Sequence, residues 1–152
     1  MEDKTLQGRQ ADRVRQFSVF TPNRLGRLHD LINMLGAQEI HVLALMVLDT
    51  TDSSIIRLVV DDPEQAHSLL LKHGFPFTES ELSVVEVDGV SGLRSLLTSL
   101  LEAEININYL YSLIVHPRGK PLLALNIEDN EIAEQTLRRH QFRVLMQADL
   151  SR

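Results

Sequence analysis

From Phe17 to Leu48 the chain runs through a period-two stretch, a break, a three-and-four stretch and a nearly continuous apolar run, and a second version of this series occupies Leu82 to Val115. Phe17 and Val19 alternate with Ser18, which predicts a strand reaching Phe20. Thr21-Pro-Asn-Arg-Leu-Gly26 breaks it, because Pro22 has no ladder donor, Asn23 tolerates turn geometry and Gly26 permits positive φ. Leu28, Leu31, Ile32 and Leu35 then recur at helical spacing, predicting a helix with one buried face that ends near Gly36. Ile40 to Leu48 reads as a strand, Asp49 to Ser54 as a polar turn and Ile55 to Val60 as a third strand. Asp62-Pro63-Glu64 is a strong helix start, with a capping residue, a proline at the first helical position and an acid in the first turn. Ala66, Leu69 and Leu70 face inward, His73-Gly74 closes the helix, and Phe75 and Phe77 begin a short fourth strand. The order is βαββαβ, the split ferredoxin-like arrangement.

The second pass repeats this in detail. Leu82 to Val87 reads as a strand, Asp88 to Gly92 as its turn, and Leu93, Leu96, Leu97 and Leu100 as the helix stripe. Ile105-Asn-Ile matches Ile40-His-Val at a shift of 65 (105 minus 40), and Asp129-Asn-Glu matches Asp62-Pro-Glu at 67 (129 minus 62). The difference falls in the hairpin His116-Pro-Arg-Gly-Lys120, a longer turn than its counterpart. Lys72-His-Gly-Phe75 and Arg139-His-Gln-Phe142 end the second helices alike. Caps, stripes and registers kept in order define an internal repeat. The expected fold is α+β: two tandem ferredoxin-like units with antiparallel sheets side by side and helices on one face. Residues 1–13 are expected as a flexible polar tail, 14–79 as the first repeat and 80–152 as the second.

A sheet with one wet face shows alternate polar residues, yet Leu43 to Leu48, Leu58 to Val60 and Leu122 to Leu125 are apolar at successive positions. Burial on both sides is implied, and a second copy in a two-fold homodimer through the open sheet face is the expected cover.

Composition narrows the function. The balance of 43% hydrophobic and 24% charged residues is that of a globular chain, and no apolar run approaches a membrane span. No basic-then-apolar leader is visible, so a cytoplasmic location is expected. The net charge of -6 disfavours nucleic acid, and the third strands lack the aromatics on which RNA bases stack. Without cysteine there is no thiolate chemistry, and His29, His41, His67, His73, His116 and His140 form no i, i+4 pair, so no metal or other cofactor is expected. No nucleophile elbow, P-loop or dinucleotide fingerprint occurs, and the adjacent acids Asp61-Asp62 and Glu128-Asp129 suit helix starts. No catalytic residue is assigned.

Asn23-Arg24-Leu25-Gly26-Arg27-Leu28 is similar to the Asn-Lys/Arg-Pro-Gly-x-Leu turn of the ACT domains, small amino-acid-sensing regulatory modules. Ile40-x-Val42, Ile105-Asn106-Ile107 and Asp61-Asp62-Pro63-Glu64-Gln65-Ala66 extend the resemblance, which covers residues 14 to 150. It implies effector sites between the first turn of one unit and the second strand of its neighbour. One would combine Asn23, Arg24, Leu25 and Gly26 with Asn106, the other Asp88, Ser91 and Gly92 with His41. Backbone amides at a glycine turn suit a free amino acid's carboxylate, and an Asn oxygen or Asp88 suits its ammonium. Leu25 stands where the family has proline, and the second turn lacks both that proline and an aligned Asn, so the two sites are expected to differ. The resulting expectation is a non-catalytic sensor of a free amino acid that signals to a metabolic enzyme or regulator. The alternative is an interaction or dimerisation module that binds no ligand.

Overall fold

In the computed structural model, which describes residues 12–22 and 26–151, the elements follow the βαββαβ order twice. The first series is β1 (Val14–Pro22), α1 (Arg27–Ala37), β2 (Val42–Asp49), β3 (Ser53–Val60), α2 (Pro63–Lys72) and the first part of β4 (Phe77–Glu86). The second uses the rest of β4, then α3 (Val90–Glu102), β5 (Ile107–Ser112), β6 (Leu122–Ile127), α4 (Asn130–Arg139), β7 (Val144–Leu145) and a short α5 (Gln147–Leu150). The chain divides into two compact units, residues 15–80 and residues 81–150, with Asp12 to Val14 grouping with the latter.

The strands lie in the order β2-β3-β1-β4 in the first unit and β7-β4-β6-β5 in the second, which is one topology. The repeat extends to irregularities. The β2–β3 register shifts between Val42 and Ala44, and the β5–β6 register shifts between Ile107 and Tyr109, at a spacing of 65 (107 minus 42). Glu39 and Glu104 both take positive φ, 58° and 56°, before these strands. Asp62 caps α2 by accepting from the Gln65 amide at 3.2 Å, and Asp129 caps α4 by accepting from Ile132 at 3.1 Å.

Each unit has its own core on the helix side of its sheet. Phe17, Val19, Ile56 and Leu58 from the strands meet Leu31, Leu35 and Leu70 from α1 and α2. Val85, Val87 and Leu125 meet Leu96, Leu100, Ala133 and Leu137 from α3 and α4. Both helices of a unit therefore cover one face, as the alternating strand positions require.

On the opposite face burial is graded. Ala44 and Val59, paired across β2 and β3, are fully buried in the single chain, and so are Leu82, Val84, Leu122 and Ala124 in the second unit. Further along the first sheet Phe20, Ile55 and Leu48 form a cross-strand row with Phe20 38% and Leu48 40% exposed. Apolar residues on both strand faces thus do not by themselves require a second copy. Among the described residues of this sheet face of the first unit, that row and the half-buried Met46 are left for one to cover.

The short fourth strand expected from Phe75 and Phe77 and the strand expected over Leu82 to Val87 are parts of one continuous strand, β4, where Gln16 donates from Nε2 to Ser80 Oγ at 3.0 Å and Arg15 reaches Glu79 at 2.8 Å. The tail expected over residues 1–13 lies outside the described residues as far as residue 11. Asp12 and Arg13 are tied down: the Gln147 amide donates to the Asp12 carbonyl at 2.9 Å, and Arg13 bonds the buried Glu134 carboxylate. That bond is the main reason the Arg13 guanidinium titrates above its ordinary value.

Candidate functional site

Where β4 ends, two antiparallel pairings bring distant residues together. Val85 pairs with Val144, so the Glu86 amide donates to the Arg143 carbonyl at 3.0 Å; Glu86 also pairs with Leu122, which sets the 116–120 hairpin beside it. The chain then turns through Asp88-Gly89 into α3. Gly89 caps that helix at φ 79° and ψ -151°, a region open essentially to glycine, and no side chain caps the helix start. The first bond reaching back to the cap is Leu93 N–H to the Gly89 carbonyl at 3.2 Å. The amides of the first turn thus lie ahead of the hydrogen-bonded helix, where its dipole favours negative charge.

A cleft of about 470 Å³ opens at this point, floored by Glu86, Asp88, Ser91 and Gly92 and walled by Arg118, Lys120 and Arg143. Lys120 Nζ lies 2.9 Å from Asp88. Glu86, with its side chain only 7% exposed, faces two guanidiniums, Arg143 at 3.4 Å and Arg118 at 3.9 Å. His140 also lines the cleft, and its Nδ1 donates to the Thr136 carbonyl at 2.8 Å, leaving Nε2 as the acceptor of the neutral ring.

Of the expected site residues, Asp88, Ser91, Gly92 and Asn106 belong to the second unit and Gly26 and His41 to the first. Asp88, Ser91 and Gly92 line this one cleft. Asn106, in the same unit, precedes β5 and is not among the residues lining it; its carbonyl accepts from the Glu128 amide at 3.4 Å. His41 holds the equivalent register position in the first unit, where it bonds to Asp61. Its Nδ1 lies 2.7 Å from Asp61, whose other oxygen accepts from the His41 amide at 2.8 Å. Gly26, at φ 88°, caps α1 as Gly89 caps α3. Asn23, Arg24 and Leu25 lie outside the described residues. The sequence reading did not single out Glu86, Arg118, Lys120, His140 and Arg143. The one available signal was the longer hairpin of the second repeat, which carries Arg118 and Lys120 where the first repeat has Asp49 to Ser54 with no cation.

Among the described residues no helix is long and apolar enough to cross a membrane, and no group of three or more His, Asp or Glu is placed to hold a metal ion.

Topology, repeat and glycine turns define a pair of βαββαβ modules. Residues 12–152 match the family of ACT domain pairs, and the chain belongs to that family. No curated protein sequence matches it. Among solved structures it is similar to a protein of Bacteroides thetaiotaomicron, at 22% identity and TM-score 0.82 over 91% of this chain and 95% of that one. It is also similar to the aspartate kinase regulatory subunits of Thermus thermophilus (16% identity, TM-score 0.60, 86% and 91% of the chains) and Thermus flavus (17%, 0.56, 86% and 92%). At these identities the likeness is one of fold.

Proposed function

We propose that this chain is a non-catalytic regulatory module that binds a free amino acid in the cleft at the start of α3 and signals its occupancy to a partner protein. The observation that carries this reading is the convergence of the α3 amino end, Asp88 and a cationic wall on one cleft. A free amino acid presents a carboxylate and an ammonium one carbon apart. The first-turn amides and Ser91 suit the carboxylate, and Asp88, now held by Lys120, suits the ammonium. Membership of the ACT domain pairs and the fold shared with aspartate kinase regulatory subunits support a regulatory role.

Binding would tie α3, the 116–120 hairpin and the segment before β7 to one ligand, which gives occupancy a structural consequence that a partner enzyme or regulator can read. The matching turn Asn23 to Gly26 is proposed as a second, non-equivalent site. A cytoplasmic homodimer sealing the row Phe20, Ile55 and Leu48 completes the proposal; sedimentation showing only monomer at micromolar concentration would remove that part.

The test is thermal unfolding against each of the twenty amino acids at millimolar concentration, since a native-state site at 100 times its dissociation constant adds about 2.7 kcal/mol. A selective upward shift, lost in Asp88→Ala, is expected. No shift with any of them would favour an interaction module. One observation supports that second reading: Val90, Leu97 and Leu101 form an outward stripe on α3, with Val90 89% and Leu101 75% exposed.

A further inference from the structure

We infer that the effector carries an anionic side chain, so that the cleft selects a dicarboxylic amino acid over its neutral and basic counterparts. This rests on the reading that the cleft holds a free amino acid. The zwitterionic backbone of any such ligand is neutral, so the charge left over in the cleft must be matched by the side chain. Arg118, Lys120 and Arg143 against Glu86 and Asp88 give three positive and two negative groups, one net positive charge, in a chain whose total is -6. The cleft is a positive spot on an acidic protein.

The geometry shows where that charge sits. Lys120 and Asp88 are closely paired at 2.9 Å, whereas Glu86 is shared between two guanidiniums at 3.4 and 3.9 Å. Charge-assisted pairs at full strength lie near 2.7–2.9 Å. Each guanidinium turns one nitrogen, Nη1, toward Glu86 out of five N–H donors, and the side chains stay 55% (Arg118) and 39% (Arg143) exposed at the cleft wall. A second carboxylate can therefore enter between them and accept from both without displacing Glu86. An ammonium side chain would meet the same guanidiniums, and Glu86, only 7% exposed, is already shared between them. A neutral amide would leave the net charge unmatched.

Calorimetric titration of the full chain with aspartate, glutamate, asparagine, glutamine, lysine and succinate tests this. Aspartate or glutamate should bind at least ten-fold more tightly than asparagine or glutamine, and succinate, lacking the ammonium that Asp88 holds, should bind more weakly than aspartate. Arg118→Gln, on an exposed hairpin and the more distant partner of Glu86, should abolish the preference, and Arg143→Gln should repeat the result, with far-UV circular dichroism at the titration temperature showing that both variants remain folded. Equal or tighter binding of the amides or of lysine overturns the inference and leaves the amino-acid site standing. Succinate binding as tightly as aspartate makes the cleft a general anion site and overturns both. A failure of all twenty amino acids to bind overturns both as well.

Discussion

A β-carbon on Gly92 would stand 3.1 Å from the Val87 β-carbon and 3.3 Å from the Val87 carbonyl carbon. This close approach seats the first turn of α3 against the end of β4 and fixes where its amides meet the cleft. Gly92→Ala gains helix propensity but must push α3 off Val87, whose backbone is held by its amide bond to the Pro121 carbonyl at 3.0 Å. A net loss of about 1 kcal/mol in denaturant unfolding is expected, together with weaker ligand binding. An unchanged affinity would mean that the helix start does not shape the site.

Arg13 bonds Glu134, a carboxylate with 3% side-chain exposure, across 121 residues of sequence. Arg13→Ala leaves that charge buried without its main partner and should cost about 2–3 kcal/mol. Adding Glu134→Gln should restore much of the loss, because a neutral amide tolerates burial better. A double-mutant cycle in denaturant measures the coupling.

Glu79 makes the acid limb of stability testable. Burial acts to raise its carboxyl, but hydrogen bonds from His67 at 2.9 Å and Arg15 at 2.8 Å outweigh it, and the group titrates below its ordinary 4.5. A carboxylate depressed on folding contributes stability that is fully present above its unfolded value and lost as pH falls from about 4.5 through the folded value. Unfolding midpoints of Glu79→Gln should therefore fall less steeply than those of the parent chain across that window. Parallel curves would contradict the assignment.

Lys120 and Asp88 form an exposed pair, with side chains 46% and 76% accessible. Such pairs contribute little to folding. Lys120→Ala should leave stability within about 0.5 kcal/mol of the parent and change ligand affinity instead, separating a binding role from a structural one. Calorimetry and thermal unfolding on the same sample decide between them.

Local chemistry made most of the fold legible. Asp62 and Asp129 announced α2 and α4 because a capping side chain acts within its own turn, and Leu31, Leu35, Leu96 and Leu100 marked the buried helix faces by their spacing. The middle of β4 was not legible, since Thr78 to Glu81 carry no apolar signal and are held by Arg15 and Gln16 from a strand sixty-odd residues earlier. The cleft was half legible for the same reason. Asp88, Ser91 and Gly92 are neighbours in sequence, while Glu86, Arg118 and Arg143 meet only through the pairing of β4 with β6 and β7. The bond between His41 Nδ1 and Asp61 was likewise not legible, because the two residues meet only through the fold of the first unit.

The central claim, an amino acid held at the start of α3, is tested most directly by titrating the full chain with whichever amino acid gives the largest thermal shift and following backbone amide resonances by NMR. The account predicts saturable shifts of Gly89, Ser91, Gly92 and Lys120 with a common dissociation constant, absent in Asp88→Ala. Saturable shifts confined to residues 15–80, or none with any amino acid, would contradict it.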